Sequence, residues 1–144
     1  MINPFTKVLV GTDFSAPGAR AIERAVDVAS RYGAKVHVVH VWEMPIITGG
    51  ALAELSVDWI APIEKAAQAQ LDDLVALLRA GGTEVASSLC CGVPWDEILA
   101  LVDHVHADLV VVGTHGRTGL SRALMGSVAE RVVRLSPVPV LTIH

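Results

Sequence analysis

The fold of this 144-residue chain is decided by the stretch Val110-Val111-Val112-Gly113-Thr114-His115-Gly116, which is followed after nine residues by Gly126-Ser127. The valines predict a buried strand, and the glycines after it predict a loop whose backbone N–H groups can approach a ligand closely. A helix is predicted over residues 127–135, and a helix N-terminus offers unpaired N–H groups and the positive end of its dipole. The segment is therefore typical of phosphate binding. The alternatives are a tight turn and a capping box, Ser127-Val128-Ala129-Glu130, in which Ser127 caps its helix.

Composition and charge exclude several classes of protein. Apolar residues make up 52% and charged residues 18%, which is typical of a globular chain, and we expect one domain over residues 1–144. The net charge of −4 argues against nucleic-acid binding, and no apolar run approaches the length of a membrane span. No basic segment followed by an apolar one is visible in residues 1–7, so no secretory signal is expected, and the adjacent Cys90 and Cys91 make a poor disulfide. We therefore expect a cytoplasmic protein that binds neither nucleic acid nor membrane.

Strands and helices alternate along the chain. Helices are predicted after Ser15, around Leu71, after Pro94 and from Ser127. Strands are predicted over 7–11, 36–42, 84–90, 109–112 and 138–143. Because the strands are apolar along most of their length, the pattern predicts an α/β fold, a doubly wound sandwich with a five-stranded parallel sheet. Ligands of such sheets bind at the carboxyl ends of the strands, and three loops compete for that place: 11–15, 41–43 and 113–116.

Charged residues at these strand ends suggest contacts with a ligand. Asp13 follows the first strand, where its carboxylate can accept hydrogen bonds from a ribose or an adenine amino group; the alternative is a turn or helix-capping aspartate. Arg117 follows Gly116 and can pair with outer phosphates, although a solvated loop arginine is the alternative, and the same holds for Arg122.

The histidines and cysteines offer little chemistry. His115 lies inside the glycine loop and is the one histidine that we would test for catalysis. His104 and His106 are explained by the C-terminus of their helix, and no grouping has zinc spacing. Cys90 and Cys91 are interpreted as core residues.

Two segments of the sequence suggest contacts with other protein molecules. Pro139 inside the predicted fifth strand removes a donor, so that strand should lie at an edge of the sheet, where a second copy can pair with it. The long connection from Glu43 to Ser56 is interpreted as a flap or partner-contact loop.

The chain resembles the universal stress proteins, a family of nucleotide-binding α/β proteins whose signature is Gly-x2-Gly-x9-Gly-(Ser/Thr). Gly113, Gly116, Gly126 and Ser127 meet this pattern in full. The resemblance extends in the right order to four further segments: Val10-Gly11-Thr12-Asp13-Phe14-Ser15, His40-Val41, Gly92-Val93-Pro94 and Pro137-Val138-Pro139-Val140-Leu141.

The resemblance to the ATP-binding branch implies a strand order of 3-2-1-4-5, contact of Asp13 with adenosine, and contact of the Val41 backbone with adenine. It also implies ATP with Mg²⁺ or Mn²⁺ held through the phosphates, and a homodimer formed through the edge strand, Val138 to Ile143. The predicted nucleotide-binding residues are Thr12, Asp13, Val41, Val112, Gly113, Gly116, Arg117, Gly126, Ser127 and Val128.

Two functions remain open at this point. The first is a nucleotide-dependent regulatory module that supports survival under stress, with no catalytic residue and no protein metal ligand. The second is a weak ATPase or phosphotransferase that uses the same pocket. The chain lacks the P-loop pattern Gly-x4-Gly-Lys-(Ser/Thr) and the dinucleotide pattern Gly-x-Gly-x2-Gly after its first strand, so binding is favoured over turnover.

Overall fold

The structure, a computed structural model, describes residues 4–44, 57–115 and 125–144. In chain order its elements are β1 (Lys7–Gly11), α1 (Ala16–Tyr32), β2 (Lys35–Trp42), α2 (Val57–Ala80), β3 (Val85–Cys91), α3 (Pro94–Val105), β4 (Leu109–Gly113), α4 (Ser127–Leu135) and β5 (Val140–Ile143). The strands form one sheet in the order β3-β2-β1-β4-β5, and every described pair is parallel. The predicted α/β sandwich and its strand order are confirmed.

The sheet is covered on both faces, because successive side chains of each strand point to opposite sides. Val8 and Val10 of β1 pack in one core cluster with residues of α1 and α2. Leu9 packs in a second cluster with residues of α3 and α4. The two helix layers explain why the inner strands are apolar along their length and do not alternate. Among the described helices, none combines the length and apolarity needed to cross a membrane.

Local signals set both ends of α1. Ser15 is its N-cap, and the Ser15 hydroxyl oxygen accepts a hydrogen bond from the backbone N–H of Gly18 at 3.3 Å. Pro17 lies in the first turn, where no N–H donor is missed. The helix ends at Gly33, whose φ of 67° is a left-handed conformation that glycine adopts without a Cβ clash. These three features agree with the predicted helix.

The fifth strand is shorter than predicted. It begins at Val140 and not at Val138, so Pro139 precedes the strand and does not lie inside it. The carbonyl oxygen of Pro139 accepts a hydrogen bond from the backbone N–H of Val110 at 3.0 Å, but the proline nitrogen has no hydrogen to continue the ladder. The strand does lie at an edge of the described sheet, beside β4 alone.

Two polar side chains, the partly buried Asp108 and the buried His37, make hydrogen bonds in the sheet away from the strand carboxyl ends. Asp108 accepts hydrogen bonds from the backbone N–H groups of Thr6 at 2.7 Å and Lys7 at 3.0 Å. Burial alone would raise the pKa of Asp108, but these hydrogen bonds outweigh it and the pKa is lowered. His37 Nε2 lies 2.8 Å from Ser88 Oγ, and burial, followed by the charges of Lys7 and His104, lowers the pKa of His37.

Candidate functional site

A cavity of about 760 Å³ opens at the carboxyl ends of β1, β2 and β4. Its volume is in the range of small-molecule sites. Its walls include eight of the predicted residues: Thr12, Asp13, Val41, Val112, Gly113, Gly126, Ser127 and Val128. The structure therefore brings these residues together around one space. Gly116 and Arg117 lie outside the described residues, as do Arg122 and positions 45–56.

The turn after β1 is held by its own side chains. The backbone N–H of Phe14 donates to Thr12 Oγ1 at 3.1 Å, and the backbone N–H of Ser15 donates to Asp13 Oδ1 at 2.9 Å. The Ser15 hydroxyl also donates to Asp13 Oδ1. One carboxylate oxygen of Asp13 thus supports the turn, which is the structural role considered for it, while Asp13 also lines the cavity.

His40 fixes this turn to the neighbouring strand. Its Nδ1 lies 2.8 Å from the carbonyl oxygen of Thr12 and must carry the hydrogen, because a carbonyl only accepts. The His40 ring packs against the ring of Phe14 with centroids 4.4 Å apart. Phe14 has a φ of 61°, an unfavourable conformation for a residue with a Cβ. The ring contact and the turn hydrogen bonds offset this cost, so the loop has one defined shape.

Two glycines allow the start of α1 to approach the strand ends closely. A Cβ added at Gly18 would lie 2.9 Å from Asp13 Oδ1 and 3.0 Å from Thr12 Oγ1. A Cβ added at Gly113 would lie 3.3 Å from the carbonyl oxygen of Pro17. The first distance is shorter than real Cβ contacts, so a larger residue at Gly18 would displace Asp13 or Thr12. Gly18 lies inside the predicted first helix, where no sequence pattern indicated this role.

The start of α4 differs from the predicted capping box. Ser127 is the first helical residue and Gly126 is the N-cap, with no side-chain capping hydrogen bond. Glu130 does not act as the box requires: its carboxylate lies 3.3 Å from Arg134 Nε. The physical reason is the bond from the Gly126 N–H to the Thr114 carbonyl, at 2.6 Å, which holds Gly126 extended so that the helix begins after it.

The N-terminus of α4 therefore has backbone N–H groups that no side chain caps. Residues 127–129 line the cavity, and the first-turn N–H groups of an α-helix have no partner within the helix. Within the described lining there is no lysine or arginine, and the charged residues are Asp13 and Glu43. An anion bound to this part of the cavity would therefore be stabilised by backbone N–H groups and the dipole of α4.

His115 and the two cysteines lie in different surroundings. His115 lines the cavity, and its Nδ1 lies 3.1 Å from Thr114 Oγ1. Cys90 is half-buried, and burial together with Glu97 raises the pKa of its thiol. Cys91 is exposed, so its interpretation as a core residue was wrong. Cys91 is the last residue of the edge strand β3, and on its side of the sheet the packed residues, Val85 and Leu89, lie earlier in the strand.

One wall of the cavity was not predicted from the sequence. It is formed by α2, whose residues Ile63, Ala66, Ala67 and Gln70 line the cavity. Their spacing of i, i+3, i+4 and i+7 places them on one helix face, which continues the predicted apolar spacing that starts at Leu71. Extending that spacing toward the N-terminus would have found them.

The chain is similar to known proteins over nearly its whole length. Residues 4–144 match the Universal stress protein family. The chain belongs to the universal stress protein family. One relative, Universal stress protein MJ0531 of Methanocaldococcus jannaschii, is 34% identical over 143 residues, which cover 98% of this chain and 83% of the relative.

Solved structures of the family share the fold. The universal stress protein MJ0577 of Methanocaldococcus jannaschii superposes with a TM-score of 0.85 at 26% identity, over 97% of this chain and 96% of the other. A universal stress protein in complex with cAMP has a TM-score of 0.69 at 29% identity, over 98% of both chains. A universal stress protein of Archaeoglobus fulgidus in complex with dAMP has a TM-score of 0.67 at 27% identity, over 98% of this chain and 99% of the other. Adenine nucleotides are thus bound by members of the family with this fold.

Proposed function

We propose that this protein binds ATP in the cavity at the strand ends and acts as a nucleotide-dependent regulatory module in stress survival. The observation that carries the proposal is the meeting of three parts around one space: the turn at Asp13, the end of β2 at Val41 and the uncapped start of α4. The first two suit a nucleoside and the third suits its phosphates. Relatives in complex with cAMP and dAMP support an adenine nucleotide.

The ten predicted site residues remain the proposed contacts, including Gly116 and Arg117 outside the described part. A divalent ion, Mg²⁺ or Mn²⁺, would be held through the phosphates. Among residues 4–44, 57–115 and 125–144, no three His, Cys, Asp or Glu side chains are grouped as metal ligands. Mg²⁺ usually keeps several waters and binds through substrate phosphates, which is the mode proposed here. The ion would neutralise phosphate charge, while the turn and the start of α4 orient the nucleotide.

We further propose one domain over residues 1–144, located in the cytoplasm and dimeric through the edge strand. The edge position of β5 supports the dimer, because an edge strand presents unpaired backbone groups to a second copy. The acidic net charge of −4 supports the absence of a nucleic-acid partner. We propose no direct contact with a membrane.

A second candidate function, slow ATP hydrolysis, is favoured by one observation. His115 lines the cavity directly after the β4 end, where a triphosphate would extend toward the start of α4. An imidazole in that position can take a proton from an attacking water.

One titration tests both candidates. Mg·ATP is added to purified protein while tryptophan emission is followed, since Trp42 lines the cavity, and ADP release is then assayed on the same sample. Saturable binding without ADP release supports the regulatory module. Steady turnover that is lost in His115→Ala and in Gly113→Val supports the enzyme. Absence of binding at millimolar ATP contradicts both.

A further inference from the structure

The apolar face of α2 has two different environments along its length. In the second half of the helix, Leu71 and Val75 are buried in the core cluster against β1 and β2. Before Leu71, the same face carries Ile63, Ala66 and Gln70, which line the cavity. Ile63 is 39% exposed although it lies on the face that is buried one turn later. The first half of α2 therefore overhangs the cavity and offers it an apolar surface.

We propose that this face of α2 is the second wall of a nucleobase pocket, and that Gln70 selects adenine over guanine. The inference rests on the proposed function. Val41, at the end of β2, lines the same cavity but packs with the core cluster of α3 and α4, whereas α2 packs with the cluster on the other face of the sheet. A planar base between Val41 and the Ile63–Ala66 surface would bury both of its faces against apolar atoms.

Gln70 supplies the selective chemistry. It carries the one side-chain amide of the described lining, and it lies on the same helix face as the apolar wall. An amide has one acceptor and one donor side by side, which match the N6 amino group and the N7 acceptor of adenine. Guanine presents two acceptors, O6 and N7, at the same edge, so the amide oxygen would face the guanine oxygen. The pairing therefore discriminates without any charge.

The experiment measures dissociation constants by titration calorimetry for Mg·ATP, Mg·GTP and inorganic tripolyphosphate. The variants are Gln70→Ala, Gln70→Arg and a control, Gln68→Ala. Gln68 and Gln70 are both exposed residues of α2, but Gln68 is not part of the cavity lining and its amide donates to Asp72 at 2.8 Å. Alanine is the best helix former, so neither alanine variant threatens the fold.

The expected result is a loss of about tenfold or more in the preference of Gln70→Ala for ATP over GTP. Gln70→Arg should move the preference toward GTP, because a guanidinium pairs with O6 and N7 of guanine. Tripolyphosphate affinity should stay unchanged in the two alanine variants and can rise only in Gln70→Arg, which adds a positive charge to the lining; Gln68→Ala should behave as the unmodified protein.

Three results overturn the inference. If Gln70→Ala keeps the preference for ATP, Gln70 is not selective, and ATP binding by the unmodified protein still stands. If the unmodified protein binds ATP and GTP equally, no selection exists to explain. If the unmodified protein binds no nucleotide, the proposed function fails and the base pocket fails with it.

Discussion

The backbone nitrogen of Gly126 lies 2.6 Å from the carbonyl oxygen of Thr114, and this bond joins the end of β4 to the start of α4. The approach is so close that a Cβ added at Gly126 would lie 2.9 Å from the same oxygen. The third glycine of the Gly-x2-Gly-x9-Gly-Ser pattern is therefore required by the backbone contact itself. That contact fixes where the first-turn N–H groups of α4 meet the cavity.

The first prediction concerns Gly126→Ala. The added methyl group cannot fit against Thr114, so the start of α4 must shift away from the cavity. Because hydrogen bonds to charged groups contribute about 1.5–3 kcal/mol each, losing one phosphate contact should weaken Mg·ATP binding about tenfold or more, as measured by calorimetry. Gly81→Ala is the matched control, since its Cβ would meet its nearest atom, the Leu78 carbonyl oxygen, at an ordinary 3.5 Å. Equal ATP affinities for Gly126→Ala and the unmodified protein would contradict the proposed phosphate contact.

The second prediction separates the nucleoside end from the phosphate end by Asp13→Asn. The asparagine oxygen can still accept from Ser15, so the turn should persist, with a loss of about 0.3–1 kcal/mol from removing a negative charge near the start of α1. A neutral amide oxygen accepts a weaker hydrogen bond from the ribose or adenine than a carboxylate oxygen does, so ATP affinity should fall. Tripolyphosphate affinity should stay constant or rise, because a nearby negative charge is removed. A fall in both affinities by the same factor would argue that Asp13 acts only through the fold.

The third prediction concerns pH and His37. Its pKa is lowered in the folded protein, so the unfolded chain binds the proton first as the pH falls. The stability contributed by neutral His37 is complete above the ordinary pKa of about 6.5 and is lost as the pH falls from there toward the lowered value. Urea unfolding at a series of pH values should show this decline. In His37→Gln, which keeps a polar group for Ser88 but does not titrate, the decline should be shallower; an unchanged slope would contradict the assignment.

The fourth prediction tests the proposed dimer at the two edges of the sheet. Thr142→Lys places a charge on β5, and charges on an edge strand oppose pairing with a second copy. Sedimentation velocity should then show a shift from dimer to monomer. Ser87→Lys makes the same kind of change on β3, at the opposite edge, and should leave the dimer intact. If Ser87→Lys dissociates the dimer and Thr142→Lys does not, the interface lies at β3 and the proposed dimer through β5 is wrong.

Most of the fold was predictable because its signals are local. The apolar run at Val110-Val111-Val112 marks a strand buried on both faces, and Ser15, Pro17 and Gly33 mark the ends of α1 through their own backbone preferences. The part of the site at Asp13, Val41 and Gly113 followed from the rule that strand carboxyl ends meet at one edge.

The features that were missed depend on contacts between distant residues. The capping box at Ser127 failed because Thr114 takes the N–H of Gly126, a bond that no local pattern contains. The wall formed by α2 has a local signal, the helical spacing that continues to Leu71. The spacing does not tell a surface that faces a cavity from one that faces a core, and only the contacts of Ile63 and Ala66 with the rest of the fold decide this. Pro62, inside α2, also locally predicts a helix break.

The cavity draws its walls from β1, β2, α2, β4 and α4, which together span almost the whole chain. A ligand that needs these walls together can therefore bind only molecules in which both the N-terminal and the C-terminal parts of the described chain have folded. A ligand at a hundred times its dissociation constant adds about 2.7 kcal/mol to the free energy of unfolding, a large share of the stability of a small protein. With ATP as that ligand, the lifetime of this protein against proteolysis would rise and fall with the energy supply of the cell.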